Sequence, residues 1–244
     1  QLHAQDPEHF PDSNHKPEIA IAIDAFELLA GFRPVADIVA DIQNRGSLKR
    51  FFLGEIDADA ARAPGHWLRE ACGRLFYASE RDVADTLEGL ALDLTMVDAL
   101  SPSDKRFLEA LEQYPGDRGA IAAYLLNAVH LDRGQAIFTG PGAPHSYFRG
   151  SIVECMASSD NVVRAGLTPK HIDRDVLLRV LRYDPALPEL FEGEMTADGV
   201  RSYTVPAEDF QVDWIQADAG RKISLSSGGG VSVMLVLEGR ARLS

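Results

Sequence analysis

The sequence predicts a mainly β protein with a helical segment set inside it, and three observations carry that prediction. Ile19-Ala20-Ile21-Ala22-Ile23 alternates large and small side chains with the period of two expected of a half-buried strand. From Ser47 to Val129 the apolar residues recur at helical spacing instead. After residue 130, short apolar runs return between Gly and Pro turns, at the spacing of a sandwich or barrel. The expected division is one β domain made of residues 1–46 and 130–202, a helical insertion at 47–129, and a second β domain that starts near Tyr203 and is left unclosed at residue 244.

Each element follows from local chemistry. Pro17 keeps Lys16 extended and stops a helix from running into the first strand. On that strand Ile19, Ile21 and Ile23 share one face, while Glu18, Ala20 and Ala22 share the other, which leaves open space above the carboxylate. A helix is expected over Ser79 to Leu94, where Val83, Leu87, Leu90 and Leu94 form one stripe and Ser79, with Asp82 after it, forms the cap. Ser101-Pro102-Ser103-Asp104 opens another helix and Pro115-Gly116 closes it. A third is expected from Asp117 to Val129, carrying Ile121, Tyr124, Leu125 and Ala128. Strands then follow at Gln135 to Thr139, His145 to Phe148 and Ile152 to Met156, divided by Gly140-Pro141-Gly142 and Arg149-Gly150. In the tail, strands are expected at Lys222 to Ser226 and Val231 to Leu237, with turns at Gly228-Gly229-Gly230 and Glu238-Gly239.

Composition narrows the function classes. With 24 Lys+Arg against 37 Asp+Glu the net charge is -13, which argues against a nucleic-acid binder that must neutralise a phosphate backbone. No apolar run approaches the ~20 residues of a membrane helix, so no membrane partner is expected. The 45% hydrophobic and 25% charged content is that of a globular chain with a core, not a disordered one. Cys72 and Cys155 are too few for a disulfide framework and nothing resembles a secretory signal, so a cytoplasmic location is expected. The chain starts at Gln1 without Met and ends inside a strand-like run, and is expected to be a fragment.

On the strand at His145, period two puts His145 and Tyr147 on one face and Ser146 and Phe148 on the other. The spacing Gly134, Gly142, His145 resembles the second motif of the cupin superfamily, although Gly140 stands where that motif has Pro and Arg149 where it has Asn. Taken alone it fits a metal ligand or a hydrogen-bonded strand histidine. Five longer runs decide between them: Asn14-His15-Lys16-Pro17-Glu18, Gly31-Phe32-Arg33-Pro34, Pro144-His145-Ser146-Tyr147, Val153-Glu154-Cys155-Met156, and Ser159-Asp160-Asn161 through Arg164-Ala165-Gly166 to Thr168-Pro169-Lys170. Together, in this order, they resemble the type I mannose-6-phosphate isomerases. The resemblance is dense over residues 2–34 and 130–172, moderate in the tail and weak in the helical zone.

The resemblance implies a cupin jelly-roll barrel with an inserted α-helical domain and a second, truncated cupin β domain. It implies one Zn2+ per intact chain, with Glu18 and His145 as metal ligands. A Gln-x-His-Pro segment supplies the family's other two ligands. Gln1-Leu2-His3 looks like that pair, but Ala4 replaces the Pro, so the authentic pair is expected upstream of residue 1. Arg164 is the expected catalytic cation that orients the substrate, with an ion-paired structural arginine as the alternative. Lys16 and Asp160 are the candidate proton-transfer groups; Lys16 could equally pair with Glu18, and Asp160 could simply make a turn. Tyr147 and Lys170 are expected to bind substrate hydroxyl and phosphate respectively, the alternatives being aromatic packing and a surface lysine. Glu154 is expected to accept a hydrogen bond from a metal ligand or the substrate. Cys155 is read as a core residue and His15 as a backbone-bonded one.

The activity implied is aldose–ketose isomerisation of mannose 6-phosphate and fructose 6-phosphate by zinc-assisted proton transfer through an enediolate, at the entry to GDP-mannose synthesis. The expected partner is a small phosphorylated hexose and the expected state is monomeric. Two rivals are a cupin metalloenzyme with iron or manganese, separated by metal analysis with oxygen uptake, and a sugar-phosphate-binding cupin without turnover.

Overall fold

The computed structural model describes residues 2–52, 63–196, 199–224 and 230–242. Two antiparallel sheets face each other. The first is built from β1 (Glu18–Ala22), β4 (Ala136–Thr139), β6 (Ile152–Met156) and β7 (Leu190–Phe191), in the order β6-β1-β4-β7. The second is built from β2 (Phe26–Phe32), β3 (Leu126–Leu131) and β5 (His145–Arg149), in the order β3-β2-β5. Ala20, Ala22 and Ile137 from the first sheet meet Phe26, Leu28, Ala30, Val129 and Leu131 from the second in one buried cluster. The alanines leave room for the larger side chains opposite, and this cluster is the floor of the space between the sheets.

The outer faces are covered differently. Ile19 and Ile21, on the other side of β1, pack with Ala136 and Tyr203 beneath a small sheet of β8 (Glu194–Met195), β9 (Val200–Tyr203) and β10 (Val212–Ile215). Leu29 and Phe32 of β2 turn instead to a helical layer. That layer contains α2 (Val35–Gln43), α3 (Gly46–Phe52), α4 (Pro64–Tyr77), α5 (Glu80–Leu94), α6 (Pro102–Gln113) and α7 (Arg174–Val180); a further short helix, α1 (Leu2–Gln5), precedes β1. Ser79 accepts the Asp82 N–H at 3.1 Å, as the sequence predicts, and at the expected start of α6 Ser101 forms a full capping box with Asp104. Among the described residues no helix is long and apolar enough to cross a membrane.

The structure corrects the helix expected over Asp117 to Val129. A 3₁₀ helix spans Arg118–Tyr124, and β3 then pairs antiparallel with β2 from Leu126 against Phe32 to Leu131 against Phe26. Ile121 and Tyr124 are buried as a helical stripe requires, but pairing with β2 takes over the backbone beyond them. In the tail, Val231 to Leu237 is exposed and forms no strand, because no neighbouring strand among the described residues satisfies its backbone. Of the other tail expectations, Leu225, Ser226, Gly228 and Gly229 lie outside the described residues. The small sheet involves Val200 to Tyr203, so β structure is present before Tyr203 and packs back on the first sheet, with the Tyr203 hydroxyl donating to the Gly134 carbonyl at 2.7 Å.

Candidate metal centre

Strand register decides which side chains meet. Glu18 pairs with Met156 and Ala20 with Glu154, so on the inner face of the first sheet Glu18 and Glu154 are diagonal neighbours on β1 and β6. On the second sheet His145 pairs with Ala30 and Tyr147 with Leu28, both inner-face partners, so His145 and Tyr147 point into the same space. Ala20 and Ala30, the strand partners of Glu154 and His145, are the small inner-face side chains beside these polar groups.

The donors converge. His145 Nε2 lies 3.3 Å from Glu18 Oε2, and Glu18, His145 and Glu154 each offer one donor atom within 4.8 Å of the others. His145 Nδ1 donates to the Ala143 carbonyl at 3.2 Å, which turns Nε2 toward the carboxylates. The Tyr147 hydroxyl donates to Glu154 Oε1 at 2.5 Å, and Lys16 Nζ stands 3.6 Å from Glu18 Oε1. Burial alone pushes the Glu18 carboxyl up, but the His145 hydrogen bond and charge, with Lys16 behind them, hold it below its ordinary value. Burial alone lowers the His145 imidazole, and Glu18 more than reverses this. One imidazole nitrogen and two carboxylates, with the Glu18 and His145 side chains 12% and 30% exposed, form a donor set that suits zinc and stays reachable from solvent.

The comparisons with known proteins agree. The chain is 36% identical over 256 residues to mannose-6-phosphate isomerase 2 of Arabidopsis thaliana, covering all of this chain and 58% of that protein. It is 35% identical over 261 residues to mannose-6-phosphate isomerase of Mus musculus, covering 98% of this chain and 60% of that protein. A model of the catalytic domain of type I phosphomannose isomerase matches residues 1–35. A variant of phosphomannose isomerase from Salmonella typhimurium superimposes with a TM-score of 0.72 at 28% identity, covering 84% of this chain and 51% of that one. The chain is similar to mannose-6-phosphate isomerases over nearly its whole length, and to the type I catalytic domain over its first 35 residues. It spans about 60% of the length of the curated relatives it matches. A mannose 6-phosphate isomerase solved in a zinc-bound form superimposes with a TM-score of 0.70, covering 85% of this chain and 52% of that one.

The other residues that the phosphomannose isomerase resemblance singles out fall in three places. Lys16 joins the donor cluster through Glu18. Asp160 and Arg164 are exposed on the segment that follows β6, and Asp160 uses its backbone N–H to bond Asp12. Lys170 is exposed and lines a surface depression with Arg118, His171 and Arg174 beside α4 and α7, not with the three donors. His3 donates to the Phe10 carbonyl at 2.6 Å, and Gln1 lies outside the described residues. His15 departs from its expected backbone bond and pairs with Asp209 at 2.8 Å. Cys155 turns to the outer cluster beneath the small sheet, a core position whose burial raises its thiol pKa. Sequence reasoning placed Glu154 one step back from the metal; the structure brings it among the donors. The signal was available in the pairing of a strand at Ile152 with the one at Glu18, which the alternation of both segments allows but does not register.

Proposed function

We propose that this chain forms part of a zinc-dependent mannose-6-phosphate isomerase that exchanges mannose 6-phosphate and fructose 6-phosphate through an enediolate, at the entry to GDP-mannose synthesis. The convergence of Glu18, His145 and Glu154 from opposite sheets carries this reading, and identities of 35–36% to curated mannose-6-phosphate isomerases support it. Bound at these donors, a zinc ion supplies Lewis acidity to the oxygens of the reacting carbons. Glu18 and His145 are its ligands, and Glu154, held by Tyr147, either completes the donor set or orients a substrate hydroxyl from the same spot.

Moving the proton between adjacent carbons falls to a group beside the donors. Lys16 has that position, with its ammonium against Glu18. Arg164 supplies the fixed donor fork that orients the substrate, and Asp160 stands four residues before it on the same segment. Lys170 is a phosphate contact in this reading. The test is bound zinc and isomerase activity in Glu18→Gln and His145→Ala: both variants are expected to lose the two together, and retention of both properties removes the metal assignment. Arg164→Ala is expected to lower turnover while keeping zinc.

A further inference from the structure

Asp160 and Arg164 lie on a segment that belongs to no strand, so their placement depends on what ties it down. A carboxylate does so at each end. Asp12, in the bend that precedes the Asn14–Pro17 stretch, accepts the Asp160 N–H at 2.7 Å, the Ser159 hydroxyl at 2.9 Å, the Asn161 side-chain amide at 3.2 Å and the Asn14 N–H at 2.8 Å. The Asn161 amide also donates to the Asp12 and Asn14 carbonyls at 3.1 and 2.9 Å, and the Asn14 amide reaches back to the Ser158 carbonyl at 2.9 Å. The Asp160 N–H is the largest influence holding the Asp12 carboxyl below its ordinary value.

At the far end, Asp117 accepts the Gly119 N–H at 2.7 Å and the Thr168 N–H at 3.3 Å. There Gly166 passes so close to Gly119 that a Cβ on it would meet the Gly119 Cα at 2.8 Å, and Leu167 is held at a φ of 52°. A leucine in the left-handed region is costly and persists only where its surroundings impose it. The short stretch carrying Arg164 is strung between these two anchors. It leaves β6 next to Glu18, since Glu18 pairs with Met156 and the Ala157 N–H donates to the Pro17 carbonyl at 3.1 Å.

We infer that Asp12 is a positioning residue, which binds the Ser159–Asn161 turn to the Asn14–Glu18 stretch and so presents Arg164 at the end of the barrel where Glu18 stands. The inference rests on the proposed role of Arg164. Asn at position 12 has a similar shape but brings an NH2 group against a ring of donors, so it cannot replace the carboxylate.

The experiment compares Asp12→Asn, Arg164→Ala and the double variant in the zinc-loaded protein, by initial rates with mannose 6-phosphate, zinc content and amide exchange at Asp160 and Asn161. Asp12→Asn is expected to lower kcat by about ten- to a hundredfold with KM little changed, as misplacement of an orienting group does. Zinc content is expected to stay constant and exchange at Asp160 and Asn161 to accelerate. The double variant is expected to be no slower than Arg164→Ala, because Asp12 acts through Arg164. Wild-type kcat in Asp12→Asn, or losses that multiply in the double variant, overturn the inference alone. Wild-type turnover in Arg164→Ala overturns the role of Arg164 and this inference with it. Should Asp12→Asn not fold, Asn161→Ala removes the bridging amide instead, and the same comparison with Arg164→Ala decides.

Discussion

At the scale of single residues, the hydrogen bond from Tyr147 to Glu154 ties the direction of one donor to one hydroxyl. Tyr147 also packs edge-on against Phe26, with ring centroids 5.3 Å apart, so Tyr147→Phe keeps the packing and removes only the hydroxyl. That variant is expected to keep its fold and weaken zinc binding by about 10- to 100-fold, the usual effect of removing a group that orients a ligand, which a competition titration with a chelator measures. Glu18 and His145 were singled out by the motif resemblance; the period of two assigned each a face of its strand but not the partner it would meet across the sheets. Arg33 was legible as part of a motif but not in its role. It donates to Asp41 at 2.7 Å, Ser103 at 3.0 Å and the Tyr124 carbonyl at 3.1 Å, which makes it a structural bolt between barrel and helices.

Among elements, the attachment of the helical layer centres on a buried charge. Asp104, on the first turn of α6, receives both arms of Arg45 at 2.6 and 2.5 Å and the Tyr124 hydroxyl at 2.6 Å. Removing one side of such a pair strands the other, so Asp104→Ala is expected to cost about 3–5 kcal/mol in denaturant unfolding. Burial alone raises the Asp104 carboxyl, while Arg45 and Tyr124 outweigh it and set it below the ordinary 3.8. A lowered folded-state pKa contributes stability that is present above the unfolded value and lost as pH falls through the folded one. The stability gap between the parent and Asp104→Asn is therefore expected to be full at neutral pH and to close as pH drops below 3.8. The elements that escaped sequence reading did so for physical reasons. β2 shows no alternation because it buries Phe26, Leu28 and Ala30 on one face and Leu29 and Phe32 on the other, and Gly31, at a φ of 63°, interrupts its register. β3 carries a helical pattern that long-range pairing overrides.

Across the whole molecule, the donors come from strands that are distant in sequence and lie in opposite sheets, so a cation bound there is a cross-link between the two halves of the barrel. Ligand binding to the folded state alone raises stability by about 2.7 kcal/mol at a hundredfold excess over Kd. Zinc is therefore expected to raise Tm in a thermal scan of the parent. Tyr203→Phe, which loses a bond of the outer small sheet to Gly134, is expected to lower Tm but keep the zinc-induced shift. Glu18→Gln is expected to lose that shift. The packing of Val200 to Tyr203 back onto the first sheet was beyond sequence reasoning, since short strands reveal their period but not the surface they cover.

The central claim is that Glu18 and His145 share one divalent ion. The most direct measurement is anomalous diffraction at the zinc edge from crystals of the zinc-loaded protein. A single strong peak about 2.0–2.2 Å from a Glu18 carboxylate oxygen and from His145 Nε2 is the expected result. Zinc located elsewhere, or bound with these two side chains outside coordination distance, contradicts the account.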